Sequence, residues 1–148
     1  MNIEPYKSFG SLILGKSKRD DCVRIYGEPI STRKNREGVV EYHYDTFIIR
    51  FSPTSDTVQE CTLLPQADAT IAGIDVTWDK DFLQCACEHD GSPKNVYGFI
   101  VLTNLGIAVT GFHDEDESQM AVTVFSDGSF DDLLRESVPY EFKRGESR

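Results

Sequence analysis

Four consecutive carboxylates, Asp114-Glu115-Asp116-Glu117, stand between two apolar, strand-like runs, and Asp127, Asp131 and Asp132 follow the second run. Between Asn95 and Leu134 these seven acids meet no Lys or Arg. Carboxylates this close repel one another, and three kinds of chemistry would use them. They could hold a divalent cation, act as paired acid and base, or meet a cationic partner. The spacing argues against metal. It lacks the Asp-x-Asp-x-Asp-Gly pattern with a distal Glu, and consecutive carboxylates on extended backbone point to alternate sides. No apolar pocket that would set one carboxyl apart is recognisable, so acid–base catalysis lacks support. A surface shaped for positive charge and a solvated, solubilising loop are the readings that stay open. Trp78 and Tyr97 are candidate aromatic anchors for a partner, with core burial as the alternative.

The other reactive side chains carry weaker patterns. Cys85, Cys87 and His89 form a C-x-C-x-H run. Phe82, Leu83, Cys85 and Ala86 repeat with helical spacing, and on a helix alternate residues diverge by about 200°, so the three cannot converge on one ion. Cys22 and Cys85 read instead as small core residues, and Cys61 as part of a strand. His43, within Tyr42-His43-Tyr44, reads as a structural or surface histidine, and His89 and His113 as loop residues. There is no Gly-x-Ser-x-Gly elbow and no phosphate-cradling glycine loop. The expectation is a chain that is not an enzyme and uses no metal and no cofactor.

The elements that must position these residues show a faint repeat. The first unit, residues 14–51, opens with Ser17 and Asp20 as a capping pair. Cys22, Ile25 and Tyr26 then give one apolar face of a short helix, and Gly27-Glu28-Pro29 stops it. A basic loop, Arg33-Lys34-Asn35-Arg36, precedes strand-like runs at 39–44 and 46–51. The second unit, residues 76–112, has a helix around Phe82–Ala86, a stop at Gly91-Ser92-Pro93, and strands at 96–102 and 107–112. The glycine stops lie 64 residues apart and the closing Phe51 and Phe112 lie 61 apart. Val58–Leu64 reads as a strand between the units. A strand at Met120–Phe125 and a short helix at Phe130–Leu134 follow, the latter broken at Val138-Pro139. With no long linker, the strands are expected to share one sheet. That predicts a single α+β domain over 1–148, an antiparallel sheet with short helices on one face, with 113–142 as its C-terminal strand and helix.

Composition sets the partner class. The chain has 148 residues, 25 acids against 15 bases, and a net charge of −10. Nucleic acid and anionic membrane are thereby disfavoured, since both call for clustered Lys and Arg. Nine of the bases and seven of the acids fall in residues 1–50, leaving six bases and 18 acids beyond. The excess charge therefore belongs to the second part of the chain. No apolar run reaches the roughly 20 residues of a membrane span, and no secretory signal is visible, so a cytoplasmic location is expected.

Two resemblances follow from these motifs. Gly15-Lys16-Ser17 with Gly27-Glu28-Pro29, and Gly91-Ser92-Pro93 in the second unit, resemble the repeat of SmpA/OmlA-type outer-membrane lipoproteins. Tandem units of this kind look like the beta-lactamase inhibitor protein fold. The chain as a whole, through Gly111 to Gln119 and the following strand with Asp127-Gly128, resembles immunity proteins of bacterial polymorphic toxins, contact-dependent growth inhibition systems included. That resemblance implies a protein that neutralises a cognate toxin, often a basic nuclease, by covering it with an acidic surface. The alternative is a small enzyme or small-molecule binder with a pocket on the sheet face.

Overall fold

The computed structural model describes residues 1–112, 116–127 and 134–140. Three short strands come first: β1 (Asn2–Glu4), β2 (Ser8–Phe9) and β3 (Leu12–Ile13). Helix α1 (Arg19–Tyr26) leads into β4 (Ser31–Lys34), β5 (Val40–His43), β6 (Phe47–Phe51) and β7 (Val58–Leu63), an antiparallel meander. The same order then recurs. A hairpin of β8 (Thr70–Ile71) and β9 (Ile74–Asp75) precedes α2 (Lys80–Asp90) and a meander of β10 (Lys94–Val96), β11 (Phe99–Leu102), β12 (Ile107–Thr110) and β13 (Ala121–Phe125). β14 (Val138–Pro139) pairs with β10.

The meanders join through β7 and β13, their last strands, which pair antiparallel in the middle of a nine-stranded sheet ordered β14-β10-β11-β12-β13-β7-β6-β5-β4. The two halves are therefore related by an approximate two-fold axis through the sheet. A second sheet, β3-β2-β1-β8-β9, obeys the same symmetry. In it Ile3 of β1 sits between Phe9 and Ile71, equivalent positions of the two hairpins.

The architecture is α+β. Cys22 of α1 and Phe82, Leu83, Ala86 and Cys87 of α2 pack against Ile49, Cys61, Leu63, Val109 and Val122 on one face of the large sheet. The small sheet adds Ile3, Phe9, Leu12 and Ile71 to that core. The opposite face is divided. Under its second meander Val96, Val101, Ala108 and Phe125 form a separate apolar cluster covered by Tyr6 and Leu134. Under its first meander Glu41, His43, Arg50, Glu60 and Thr62 surround a single aliphatic side chain, Ile48.

Several expectations need correction. The strands form two sheets, because the segments before each helix pair with one another and not with the meanders. Each repeat extends beyond the proposed 14–51 and 76–112: its antiparallel part has four strands, reaching Leu63 and Phe125. The α1 cap is Lys18 with Asp21, whose carboxylate accepts from the Lys18 N–H at 2.8 Å, while Ser17 Oγ accepts from Ile13. Arg33 and Lys34 belong to β4 and not to a loop. The run 96–102 is two strands, turned at Tyr97-Gly98 by a pair of positive φ angles, +51° and +90°. Val138-Pro139 is a strand, not a break. The expected helix at Phe130–Leu134 lies outside the described residues except for Leu134. Both glycine stops behave as expected: Gly27 and Gly91 have φ of +82° and +79° and donate to Val23 and Cys87.

Candidate functional site

The register of β11, β12 and β13 brings the Tyr97-Gly98 turn and the β12–β13 connection to one end of the large sheet. Gly111 lets the connection start. Its φ is +79°, and a Cβ there would lie 2.6 Å from the Gln119–Met120 backbone, so only glycine lets the two ends of the connection cross this closely. Thr110 Oγ1 donates to Gln119 O at 2.9 Å and Asp116 N donates to Gly111 O at 3.0 Å. Asp116 heads a 3-10 turn, Glu117–Gln119, and its Oδ1 accepts from the Ser118 N–H (3.1 Å) and hydroxyl (2.6 Å). That oxygen serves the turn as an N-cap. Asp114, Glu115, Asp131 and Asp132 lie outside the described residues.

Trp78 and Tyr97 play different parts. Trp78 is half-buried, donates from Nε1 to Ala67 O at 3.2 Å, and stacks on Phe112 with centroids 5.5 Å apart. It fixes the root of the connection. Tyr97 is 74% exposed at the hairpin tip, with Phe99 44% exposed beside it. Left-handed backbone is uncommon for a bulky residue and costs of order 1 kcal/mol. The turn holds Tyr97 in that conformation while its ring faces water.

Asp127 does not join them. It follows Phe125 at the other end of β13, roughly 13 Å along the strand from Ala121. It lines a polar cleft of about 380 Å³ with Gly15, Ser52, Ser55, Thr57, Gln59 and Ser126. Asp116 and Asp127, eleven residues apart in sequence, thus lie at opposite ends of β13.

A polar network on the first meander escaped the reading of the sequence. Glu41 accepts from Arg50 Nε at 2.8 Å and lies 3.0 Å from His43 Nε2. Arg50 also donates to Thr62 Oγ1 at 2.6 Å and lies 3.6 Å from Glu60. Burial pushes the Glu41 carboxyl up, but the hydrogen bonds from His43 and Arg50 outweigh it and hold it below its ordinary value. Burial pushes the Glu60 carboxyl up, with Arg50 only partly opposing it. Alternation within the strands was the available signal, since Glu41 and His43 share one face. Their partners depend on cross-strand register, which the sequence does not display.

The cysteines are divided by α2: Cys85 is exposed and Cys87 buried, so Cys87 is the core residue of that helix, not Cys85. Burial raises the Cys22 and Cys87 thiols to about 12, which leaves them as unreactive core thiols. Among the described residues, no three His, Cys, Asp or Glu side chains converge as metal ligands, and no helix is long and apolar enough to cross a membrane. Comparison with protein-family models, curated protein sequences and solved structures finds no match.

Proposed function

We propose that this chain is a protein-binding inhibitor of the immunity type, which neutralises a cationic toxin domain, a nuclease for instance, in the cytoplasm. Its contact surface is the sheet end that carries Tyr97, Phe99 and the β12–β13 connection. The observation that carries this reading is the exposed, left-handed Tyr97 at the same sheet end as Gly111 and Asp116, which in sequence bracket Asp114 and Glu115. An aromatic anchor rimmed by charge is a common arrangement of binding energy at interfaces, the ring giving affinity and the carboxylates speeding encounter. The duplicated helix-and-meander units support the likeness to tandem-repeat inhibitors. The excess of acids over bases beyond residue 50 suits a basic partner and disfavours nucleic acid and anionic membrane.

The test is co-purification from the native host followed by a protection assay against the captured protein. Asp114, Glu115 and Glu117 are reversed to Lys, and Asp116 is kept because its carboxylate caps the turn. The triple variant is expected to associate more slowly and bind about 2–5 kcal/mol more weakly. Protection equal to that of the unmodified chain sinks the reading. A second reading, a small-molecule binder, is favoured by the hydroxyl-lined cleft beside Asp127. That cleft lies at the end of the sheet and not on its face.

A further inference from the structure

We infer that the free edge of β4 is a second docking surface, which takes an extended acidic segment of a partner protein as an added strand. β4 is the terminal strand of the nine-stranded sheet, and among the described residues nothing pairs with its outer side. Asn35 N donates to Val39 O at 2.9 Å, which sets the phase of the β4–β5 ladder. Ser31 and Arg33 therefore bond inward to β5, and Thr32 and Lys34 turn their backbone N–H and C=O outward. An edge of this kind is a template for another strand unless something blocks it. The opposite edge is blocked: β14 is two residues long and ends in Pro139, which has no N–H to give. β4 has no proline, and Ile30, just before it, is 74% exposed.

Charge selects the occupant. Thr32, Arg33, Lys34 and Arg36 are all exposed, and Glu37 is the one acid in the following turn. Arg33 faces Glu41 across the ladder, yet that carboxylate is taken by His43 and Arg50. Among the described residues Arg33, Lys34 and Arg36 have no ion pair. A second copy of this edge would set these cations against themselves, so like charge bars self-pairing while an acidic strand is welcomed. The turn is ordered beforehand, because Asn35 Oδ1 accepts from both Glu37 N (2.9 Å) and Val39 N (3.0 Å), which lowers the entropy lost on docking. This edge stands seven strands from β10, roughly 34 Å from the Tyr97 hairpin, so it is independent of the surface proposed above.

The experiment titrates the full chain with three labelled peptides alternating Val with Glu, Lys or Gln, followed by fluorescence anisotropy and amide exchange. The Glu peptide is expected to bind about tenfold tighter than the Gln peptide, as two exposed charge pairs would give. The Thr32 and Lys34 amides should become protected. Thr32→Pro removes an outward donor without touching the β5 ladder and should abolish binding. The Arg33→Glu, Lys34→Glu double variant should transfer the preference to the Lys peptide. Equal affinity for the three peptides overturns the proposal, and so does binding that survives Thr32→Pro with the Lys34 amide unprotected. If Thr32→Pro does not fold, the double variant decides alone: an unchanged preference overturns the proposal. The protection assay with the Lys-reversed acidic segment is unaffected by either result.

Discussion

The hydroxyls of Thr62 and Thr123 meet at 3.0 Å across the seam where the two halves of the large sheet join. The residues stand directly opposite one another, 61 positions apart, at the approximate two-fold axis. Thr62 Oγ1 also accepts from Arg50 Nη1 at 2.6 Å, and either hydroxyl can donate to the other.

The bond to Arg50 makes the pair unequal. Thr62→Val strips an acceptor from a half-buried guanidinium and a hydrogen-bond partner from Thr123, and is expected to cost about 1–3 kcal/mol. Thr123→Val removes one hydrogen bond and should cost about 1 kcal/mol. Urea unfolding of both single variants and the double variant checks the order, and equal losses would refute it.

Asp90 is buried at the C-terminus of α2, where a carboxylate opposes the helix dipole. It is held there by the N–H groups of Asn104 (2.8 Å), Leu105 (3.2 Å) and Ser92 (3.1 Å). It ties the β11–β12 turn to the helix. Asp90→Ala leaves those donors without their acceptor, and a loss of about 3 kcal/mol is expected in thermal or urea denaturation.

Glu41 and Glu60 should give stability opposite dependences on pH. The folded Glu41 carboxyl lies below its ordinary value near 4.5, so its contribution is present above that value and lost as pH falls through the folded pKa. The folded Glu60 carboxyl lies above 4.5, so folding is favoured below that value and the advantage fades as pH rises through the folded pKa. Relative to the unmodified chain, Glu60→Gln should gain stability with rising pH above 4.5. Glu41→Gln should lose the acid-side fall below 4.5. Denaturation series across pH 3–7 measure both slopes.

Tyr97→Asn separates stability from binding. Asn followed by Gly is the preferred pair for a turn with two positive φ angles, so the variant should be more stable by about 1 kcal/mol. Partner capture in a pull-down should fall, since the exposed ring is gone. A variant that is more stable and binds fully would remove Tyr97 from the contact surface.

The two helices were legible from their apolar spacing and from the glycines that end them, Gly27 and Gly91 at positive φ, whereas the cap of α2, Asp79 accepting from Phe82 N, was not read. β7 was legible as a strand between the two units. The small sheet was not, because its strands of two or three residues are too short to show a period of two. β4 was hidden behind Ser31-Thr32-Arg33-Lys34, which forms a strand through pairing and not through propensity. At the candidate site, counting charge along the chain found the acids. It could not see that β13 sends Asp116 and Asp127 to opposite ends. Tyr97 was recognised as an aromatic of interest, but its turn was masked because Tyr stands where Asn would announce a hairpin.

Ile3 joins the two hairpins of the small sheet, and this has a consequence for synthesis. β1 is made about 68 residues before β8, its parallel neighbour. Until the second unit leaves the ribosome, the nascent chain carries the unpaired edges of β1 and β7 besides that of β4. Both are sealed by the later half, β1 by β8 and β7 by β13. The first half can draft the fold but not finish it, and a stalled or truncated message releases a polypeptide with two sticky borders for chaperones to guard.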